Sequence, residues 1–502
     1  MPSENSQQTK DFSAQATYWL ILLLASAFGL RLLFLFHPPA DDASWNQCTE
    51  ASIVRHFIET KPNPFDTQWE LLRPESSEPY VEIEEFPLYH LFSWAVARMT
   101  GGVIVGCRLV SIIFAVLGGL GLYLLIARRA GALAGLFAAF FFEFSPLMFF
   151  FGRAIGSDVL SLTFAIGALV FADEYRVTGK SRFIWLAAML AMAAGLTKAF
   201  SLHIMIPLIY LLALRDGMKP DRKKIVVTAV ALVPSILWYS YAAIRGNLAN
   251  FDVLGLTNKG HLWGPISMLW NSEFWFRIQW RIFDRGLTPI VSALALLSLF
   301  WSKSRKYLGL SFWWLIGVFI YIVMVRDGNF KHNYYQLPAI APFAGMAGIG
   351  LAVLISKGSK YRYIAFGFIL AFLIISPVYI ASHYKMDLSS FKAGWIASTI
   401  SHRDERLLVL DPGQTRKTQV LFAAHRYGWH FSHITRSQVE FYRKLGARHL
   451  VAVLEPGQEM EENEVLRELF HAFRLLVDMK VTSPEKTHRI LIFDLHLKHC
   501  NL

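Results

Sequence analysis

YWLILLLASAFGLRLLFLF, residues 18–36, runs directly into HPPADDASW, residues 37–45. The first run has a single charge, Arg31, and approaches the ~20 residues that a helix needs to cross a bilayer core of about 30 Å. Residues 1–16 hold one Lys, and His37-Pro38-Pro39 follows the run where a small-residue cleavage site would stand. The run therefore reads as a retained anchor and not as a removable signal. Asp41 and Asp42 stand side by side where it ends. Adjacent carboxylates repel, and a nearby low-dielectric layer penalises each of them. Taken alone the pair reads as a solvated helix end; a cation, a metal or a chemical task would also account for it.

The pattern of the first run recurs along the chain. Of 502 residues, 54% are hydrophobic, 15% aromatic and only 17% charged, against about 25% charged in soluble domains. One soluble domain of this length cannot bury so much apolar surface. Eleven segments are apolar enough to cross: 18–36, 107–127, 130–150, 157–173, 183–199, 200–214, 225–244, 288–301, 307–325, 336–356 and 363–383. The pair 183–214 could also be one helix and a re-entrant piece. The expectation is an α-helical polytopic membrane protein with about eleven transmembrane helices.

Charge orients the scheme. With residues 1–17 as a cytoplasmic tail, the short inner connections hold sixteen Lys or Arg and the short outer ones four. That asymmetry follows the positive-inside rule, so the net charge of +12 calls for no nucleic acid. The three cysteines, Cys48, Cys107 and Cys500, are scattered and imply no disulfide framework.

Residues 18–383 form the membrane domain, with external loops 37–106 and 245–287. In the first loop Leu88–Met99 suits a helix lying on the membrane surface. In the second, Trp263, Trp270, Trp275 and Trp280 read as interfacial anchors or as an amphipathic connector. Beyond residue 383 the composition changes. Strand-like runs at Arg406–Leu410, His449–Leu454, Phe473–Val477 and Arg489–Leu495 alternate with helical stretches at Thr418–Arg426, Ser437–Leu445 and Glu461–Ala472. This is the pattern of a small C-terminal soluble α/β domain, residues 384–502, on the outer side. Asp411-Pro412-Gly413-Gln414 is a turn and no phosphate cradle.

The unusual polar residues gather on the expected outer face. They are Asp41 and Asp42; Glu82, Glu84 and Glu85; Arg153 and Asp158; Lys198; and Lys331, His332, Tyr334 and Tyr335. A carboxylate there can deprotonate an attacking hydroxyl. Lys or Arg can neutralise a departing phosphate. A second carboxylate can orient the acceptor or hold a divalent metal. Glu85 is the candidate metal ligand, and no ligand spacing fixes a site. Together the groups suit displacement of a lipid-linked phosphate by a hydroxyl.

The order of these motifs resembles the integral-membrane GT-C glycosyltransferases of the family 39 type, related to the protein O-mannosyltransferases and the lipid A aminoarabinose transferases. The motifs are Asp-Asp after the first helix, Glu-Phe-Pro-Leu-Tyr at 85–89, Arg-x-x-x-x-Asp at 153–158, Leu-Thr-Lys at 196–198 and His-x-Tyr-Tyr-x-Leu-Pro at 332–338. The resemblance spans about residues 18–385. It implies a polyprenyl-phosphate-linked sugar donor, a lipid, polysaccharide or protein acceptor, and an active site facing the periplasm or exterior of a bacterial inner membrane. It also implies Asp41 as general base, with Asp42 supporting it, and Glu85 in the second acidic position. Arg153, Lys198 and Lys331 become candidates for the donor phosphate, with Asp158, His332 and Tyr335 beside them in the substrate site. Two positions depart from the pattern. Asp42 stands where relatives often carry Glu, and Phe86 where the aminoarabinose transferases carry a basic residue. The key acid is either Glu84 or Glu85. A transporter or flippase of a lipid-linked substrate would also carry basic outer loops, but no internal repeat or matched pair of broken spans is present. A non-catalytic membrane scaffold would bind no donor lipid.

Overall fold

The computed structural model describes residues 4–214, 222–248, 263–411, 418–455, 464–483 and 486–497. The turn at 411–414 falls almost wholly outside the described residues, as do Cys500, most of the basic stretch 215–224 and part of the loop 245–287. The chain forms two compact units. One comprises Met1–Leu35, Ile83–Val96 and Arg108–Ser382; the other comprises Phe36–Glu82, Ala97–Cys107 and His383–Leu502.

The first unit is helical, and each of the eleven apolar segments overlaps helical structure, 200–214 only as a 3-10 turn, a short α-helix and a π turn. Among the described residues, five helices are long and apolar enough to cross a membrane: Gln15–Leu32, Val103–Ala130, Val226–Arg245, Tyr334–Ser356 and Ser359–His383. Ser272–Gly286 and Thr288–Phe300 would together make a sixth, bent by 104°. The bend falls where Thr288 has φ +75°, a left-handed value that a β-branched residue rarely adopts. Trp280 stands exposed on the first arm of this pair and Trp270 just ahead of it, while the Trp275 indole N–H donates to Leu269 O at 2.8 Å.

Two breaks matter most for the site. Segment 130–150 divides into Ala132–Phe144 and Pro146–Phe151, with Ser145 extended between them. Proline has no N–H to donate and pushes its predecessor out of the helical region, so it starts a helix and does not continue one. The chain then turns through 152–157 and enters helix Asp158–Thr178. Segment 183–214 breaks at Lys198, which is extended (φ −150°, ψ 121°) between helix Ser181–Thr197 and the 3-10 turn Ala199–Ile204.

Small residues allow close packing in this unit. A Cβ on Gly348 would lie 2.5 Å from Ala138 N, so helices Leu337–Ser356 and Ala132–Phe144 meet backbone to backbone. At the ends expected to face the cytoplasm, Arg129 pairs with Asp173 at 2.5 Å and Arg128 with Glu174 at 2.5 Å. A second arginine pair is sealed inside. Arg31 Nη1 meets Glu143 Oε2 at 2.5 Å with both side chains at 0% exposure, and Arg31 also donates to the carbonyls of Glu143 (2.9 Å), Phe149 (3.2 Å) and Met148 (3.3 Å).

The second unit is built on a seven-stranded sheet. In chain order the strands are β1 (Gln68–Leu72), β2 (Pro79–Val81), β3 (Arg406–Leu410), β4 (Gly428–Phe431), β5 (Ala447–Leu454), β6 (Arg474–Thr482) and β7 (Thr487–Asp494). The spatial order is β2-β1-β4-β3-β5-β7-β6. Strands β1, β4, β3 and β5 are parallel, and β2, β7 and β6 pair antiparallel. The central parallel strands are buried on both faces, which is why β3 and β5 read as continuous apolar runs. Leu408, Leu450, Leu491 and Phe493 form the core with Leu466, Leu469 and Trp429. The sheet therefore draws two strands from residues 68–81, within the stretch read as external loop, and adds β4, which no apolar run announces.

Candidate active site

The centre of the candidate site in the helical unit is Lys198. Its position at the C-terminal end of helix Ser181–Thr197 favours a cation, and Asp158 at the first turn of its helix favours an anion. Lys198 Nζ lies 2.9 Å from Glu85 Oε1 and 3.2 Å from Asp158 Oδ1. Ser157 Oγ donates to the other Glu85 oxygen, Oε2, at 2.6 Å. These contacts settle which acid of the 82–85 group joins the lysine: it is Glu85.

Backbone contacts hold the segment that carries Glu85. Phe86 N–H donates to Leu196 O at 3.0 Å, and Tyr239 O–H reaches the carbonyls of Gly195 and Leu196 at 3.2 Å each. Phe86 meets Trp238 edge-on at 4.9 Å. The residue that departs from the basic pattern thus packs as an aromatic and secures the acid beside it.

Aromatic rings form one wall. Lys198 Nζ sits 5.9 Å from the Tyr334 ring centre and 5.7 Å from that of Tyr335, within cation–π range. Tyr321 O–H donates to Tyr335 O at 3.1 Å. His332 stacks on Tyr334 at 5.3 Å and meets Tyr335 edge-on at 5.6 Å. Asp158, Lys198, Ser201, Tyr321, Tyr334 and Tyr335 line a pocket. One cation, two carboxylates and several phenol groups can hydrogen-bond a polyhydroxylated molecule and grip its face with aromatic rings.

Two expected phosphate contacts have other surroundings. Arg153 is fully buried; its guanidinium donates to Phe34 O at 3.2 Å and lies 5.9 Å and 5.4 Å from the Phe34 and Phe150 ring centres. Lys331 pairs with Asp327 at 2.6 Å, one turn away, and is 49% exposed. Arg281 caps the same short helix by donating to the carbonyls of Asn329 and Phe330, both at 2.9 Å.

Asp41 and Asp42 belong to the second unit, just ahead of helix Ser44–Glu59, whose N-terminus favours anions. Asp41 is buried, and its Oδ1 accepts from Gln47 Nε2 at 2.7 Å. The same amide donates to Asp42 O at 2.9 Å. Asp42 Oδ2 meets His383 Nδ1 at 2.7 Å. The two carboxylates are therefore held by different partners.

Sequence reading passed over Ser157, Tyr239, Gln47 and His383. Ser157 had a signal, its place before Asp158 at a helix start. Tyr239 and His383 had none, since each sits in an apolar run whose contacts depend on tertiary packing. Among the described residues no group of three or more His, Cys, Asp or Glu side chains is placed to hold a metal ion.

A family model described as dolichyl-phosphate-mannose-protein mannosyltransferase matches residues 79–239, the stretch that carries Glu85, Arg153, Asp158 and Lys198. The fold is similar to that of ArnT from Cupriavidus metallidurans in the apo state, with a TM-score of 0.64 and 15% identity over 95% of this chain and 98% of that one. ArnT bound to undecaprenyl phosphate matches with a TM-score of 0.61 at 15% identity, over the same shares of the two chains. The oligosaccharyltransferase AglB from Archaeoglobus fulgidus, in complex with an inhibitory peptide and a dolichol-phosphate, matches with a TM-score of 0.52 at 12% identity over 94% of this chain and 74% of that one. No curated protein matches the chain in sequence. These matches bear out the resemblance read from the sequence.

Proposed function

We propose that this chain, of the GT-C glycosyltransferase type and related to the protein mannosyltransferases and lipid A aminoarabinose transferases, moves a sugar from a polyprenyl-phosphate donor to an acceptor hydroxyl. The acceptor oxygen forms a bond to the anomeric carbon, and the bond from that carbon to the phosphate oxygen breaks. The polyprenyl phosphate leaves with the bonding pair, and Asp41 takes the hydroxyl proton. A single displacement of this kind inverts the anomeric centre. The solved neighbours support the donor class, since one is bound to undecaprenyl phosphate and another to a dolichol-phosphate.

The observation that carries the reading is Lys198 held between Glu85 and Asp158 beside Tyr334 and Tyr335. Two carboxylates on one ammonium leave the group with a net negative charge, so its acceptors suit sugar hydroxyls. Lys198 holds both acids in place. Arg153 and Lys331 are the cations proposed for the leaving phosphate. The charge asymmetry of the loops supports eleven crossings with the N-terminus inside, and hence a site on the periplasmic or outer face.

The test uses purified protein in detergent or nanodiscs with polyprenyl-phosphate-linked sugars and measures release of free polyprenyl phosphate. Wild type releases it in an acceptor-dependent manner, and Asp41→Asn, folded and inserted, does not. Absence of release by wild type across donors, or near-normal turnover by Asp41→Asn, removes the assignment.

A further inference from the structure

The Asp41-Asp42 turn is strained and clamped. Ala43, which follows it, has φ +55°, a left-handed conformation that costs a non-glycine residue about 1 kcal/mol or more. A turn of this kind persists only where its neighbours over-determine it. Gln47 supplies part of the restraint through its amide, bonded to Asp41 Oδ1 and Asp42 O. The rest comes from a segment more than three hundred residues later. His383, the last residue of helix Ser359–His383, bonds Asp42 twice. Its Nδ1 meets Asp42 Oδ2 at 2.7 Å, and its carbonyl accepts from Asp42 N–H at 3.2 Å. Asp387 N–H then donates to Ala40 O at 3.0 Å. His383 is nearly enclosed, at 12% side-chain exposure, while Asp42 keeps 33%.

We propose that His383 is a positioning residue for the acid pair. Its Nδ1–H fixes the Asp42 carboxylate and, through the adjoining backbone, the presentation of Asp41 to the acceptor hydroxyl. A ring nitrogen that donates to a carboxylate and is anchored by its own backbone holds direction as well as contact, in the way that an aspartate holds a catalytic imidazole. The inference rests on the glycosyl-transfer reading, because it assigns His383 to the turn that carries the proposed base.

Two conservative variants separate this role from a general need for a polar residue at the helix end. The Asn amide nitrogen falls close to where Nδ1 stands, and the Gln amide nitrogen close to where Nε2 stands. His383→Asn keeps kcat within about 3-fold of wild type, whereas His383→Gln lowers it by ~10-fold or more with the donor KM little changed. In an Asp42→Asn background, His383→Gln adds less than about 2-fold, because the two side chains act as one unit. Equal kcat for the Asn and Gln variants, or full additivity with Asp42→Asn, overturns the positioning role. The two levels fail differently: if wild type releases no polyprenyl phosphate, the transfer reading falls and takes this role with it. If wild type is active, Asp41→Asn is dead and His383→Gln is normal, only the role of His383 falls.

Discussion

Arg31–Glu143 and Lys198–Glu85–Asp158 are both ionic groups inside the helical unit, and they differ in two ways. The arginine pair is sealed, with 0% exposure on each side, and the arginine spends its other donors on the carbonyls of Phe149, Glu143 and Met148. The lysine group keeps 14%, 25% and 13% exposure on Lys198, Glu85 and Asp158, and Lys198 and Asp158 line a pocket. The first is balanced, one charge against one, and saturated with backbone acceptors. The second sets one cation against two anions. A closed, balanced pair is out of a ligand's reach, and its two partners chiefly protect each other from desolvation. An open, unbalanced group keeps acceptors turned toward a cavity. Burial and stoichiometry, more than the presence of charge, separate the two groups.

The sharpest way to break that contrast is to truncate the sealed pair. Arg31→Ala leaves Glu143 buried without its cation and should lower stability by about 3–5 kcal/mol, seen as a large drop in the thermal transition of detergent-solubilised protein. Replacing both partners with apolar residues should recover much of it, because the uncompensated charge is gone. A normal transition for Arg31→Ala would mean that the pair is no more structural than the lysine group.

Lys198→Ala should show the opposite balance. Turnover should fall by ~10²-fold or more, as for loss of a preorganised charged group, while the thermal transition moves less than in Arg31→Ala. If stability collapses and the residual folded fraction is fully active, the lysine group is structural too. Tyr335→Phe sharpens the comparison within the pocket. Loss of one hydroxyl that bonds the substrate should raise the donor KM by up to about 10-fold, the worth of one hydrogen bond, with kcat nearly kept. An unchanged KM would remove the Tyr335 hydroxyl from substrate binding. Lys331→Ala should do least: its half-exposed pair with Asp327 contributes at most ~1 kcal/mol, so the thermal transition stays put while the donor KM rises by a few-fold. An unchanged donor KM would remove Lys331 from the phosphate.

Much of the architecture was legible in the residues because it follows from short-range pattern. The apolar runs took up helical structure because a backbone shielded from water must satisfy its own hydrogen bonds, and among the described residues five helices, six with the bent pair, are long and apolar enough to cross a membrane. The break at Pro146 was not read in segment 130–150, although proline lacks the donor that a continuing helix needs. Strands β3, β5 and β7 were readable since buried strands are apolar throughout. By contrast, β1 and β2 escaped because they are short and pair with a partner far along the chain. Leu71 aligns with Gly428 in the sheet, and no local feature of Gln68–Leu72 announces that neighbour. The Arg31–Glu143 pair did leave a trace, a lone charge in each of two apolar runs, which signals that a partner is needed. It does not say which partner.

The residues of the candidate site divide in the same way. Asp41-Asp42, Glu85, Arg153, Asp158, Lys198 and the 332–335 cluster stood out because charge and polarity at the ends of apolar runs are costly, and that cost is a local property. Their partners did not stand out. That Glu85 and not Glu84 meets Lys198, that Phe86 packs on Trp238 as an aromatic, and that Asp42 meets His383 are facts of packing between segments up to 341 positions apart. Periodicity and hydropathy decide what each segment becomes. Which side chain meets which was decided by the tertiary structure alone, because hydrogen bonds and ion pairs act over about 3 Å and carry no imprint on the sequence between them.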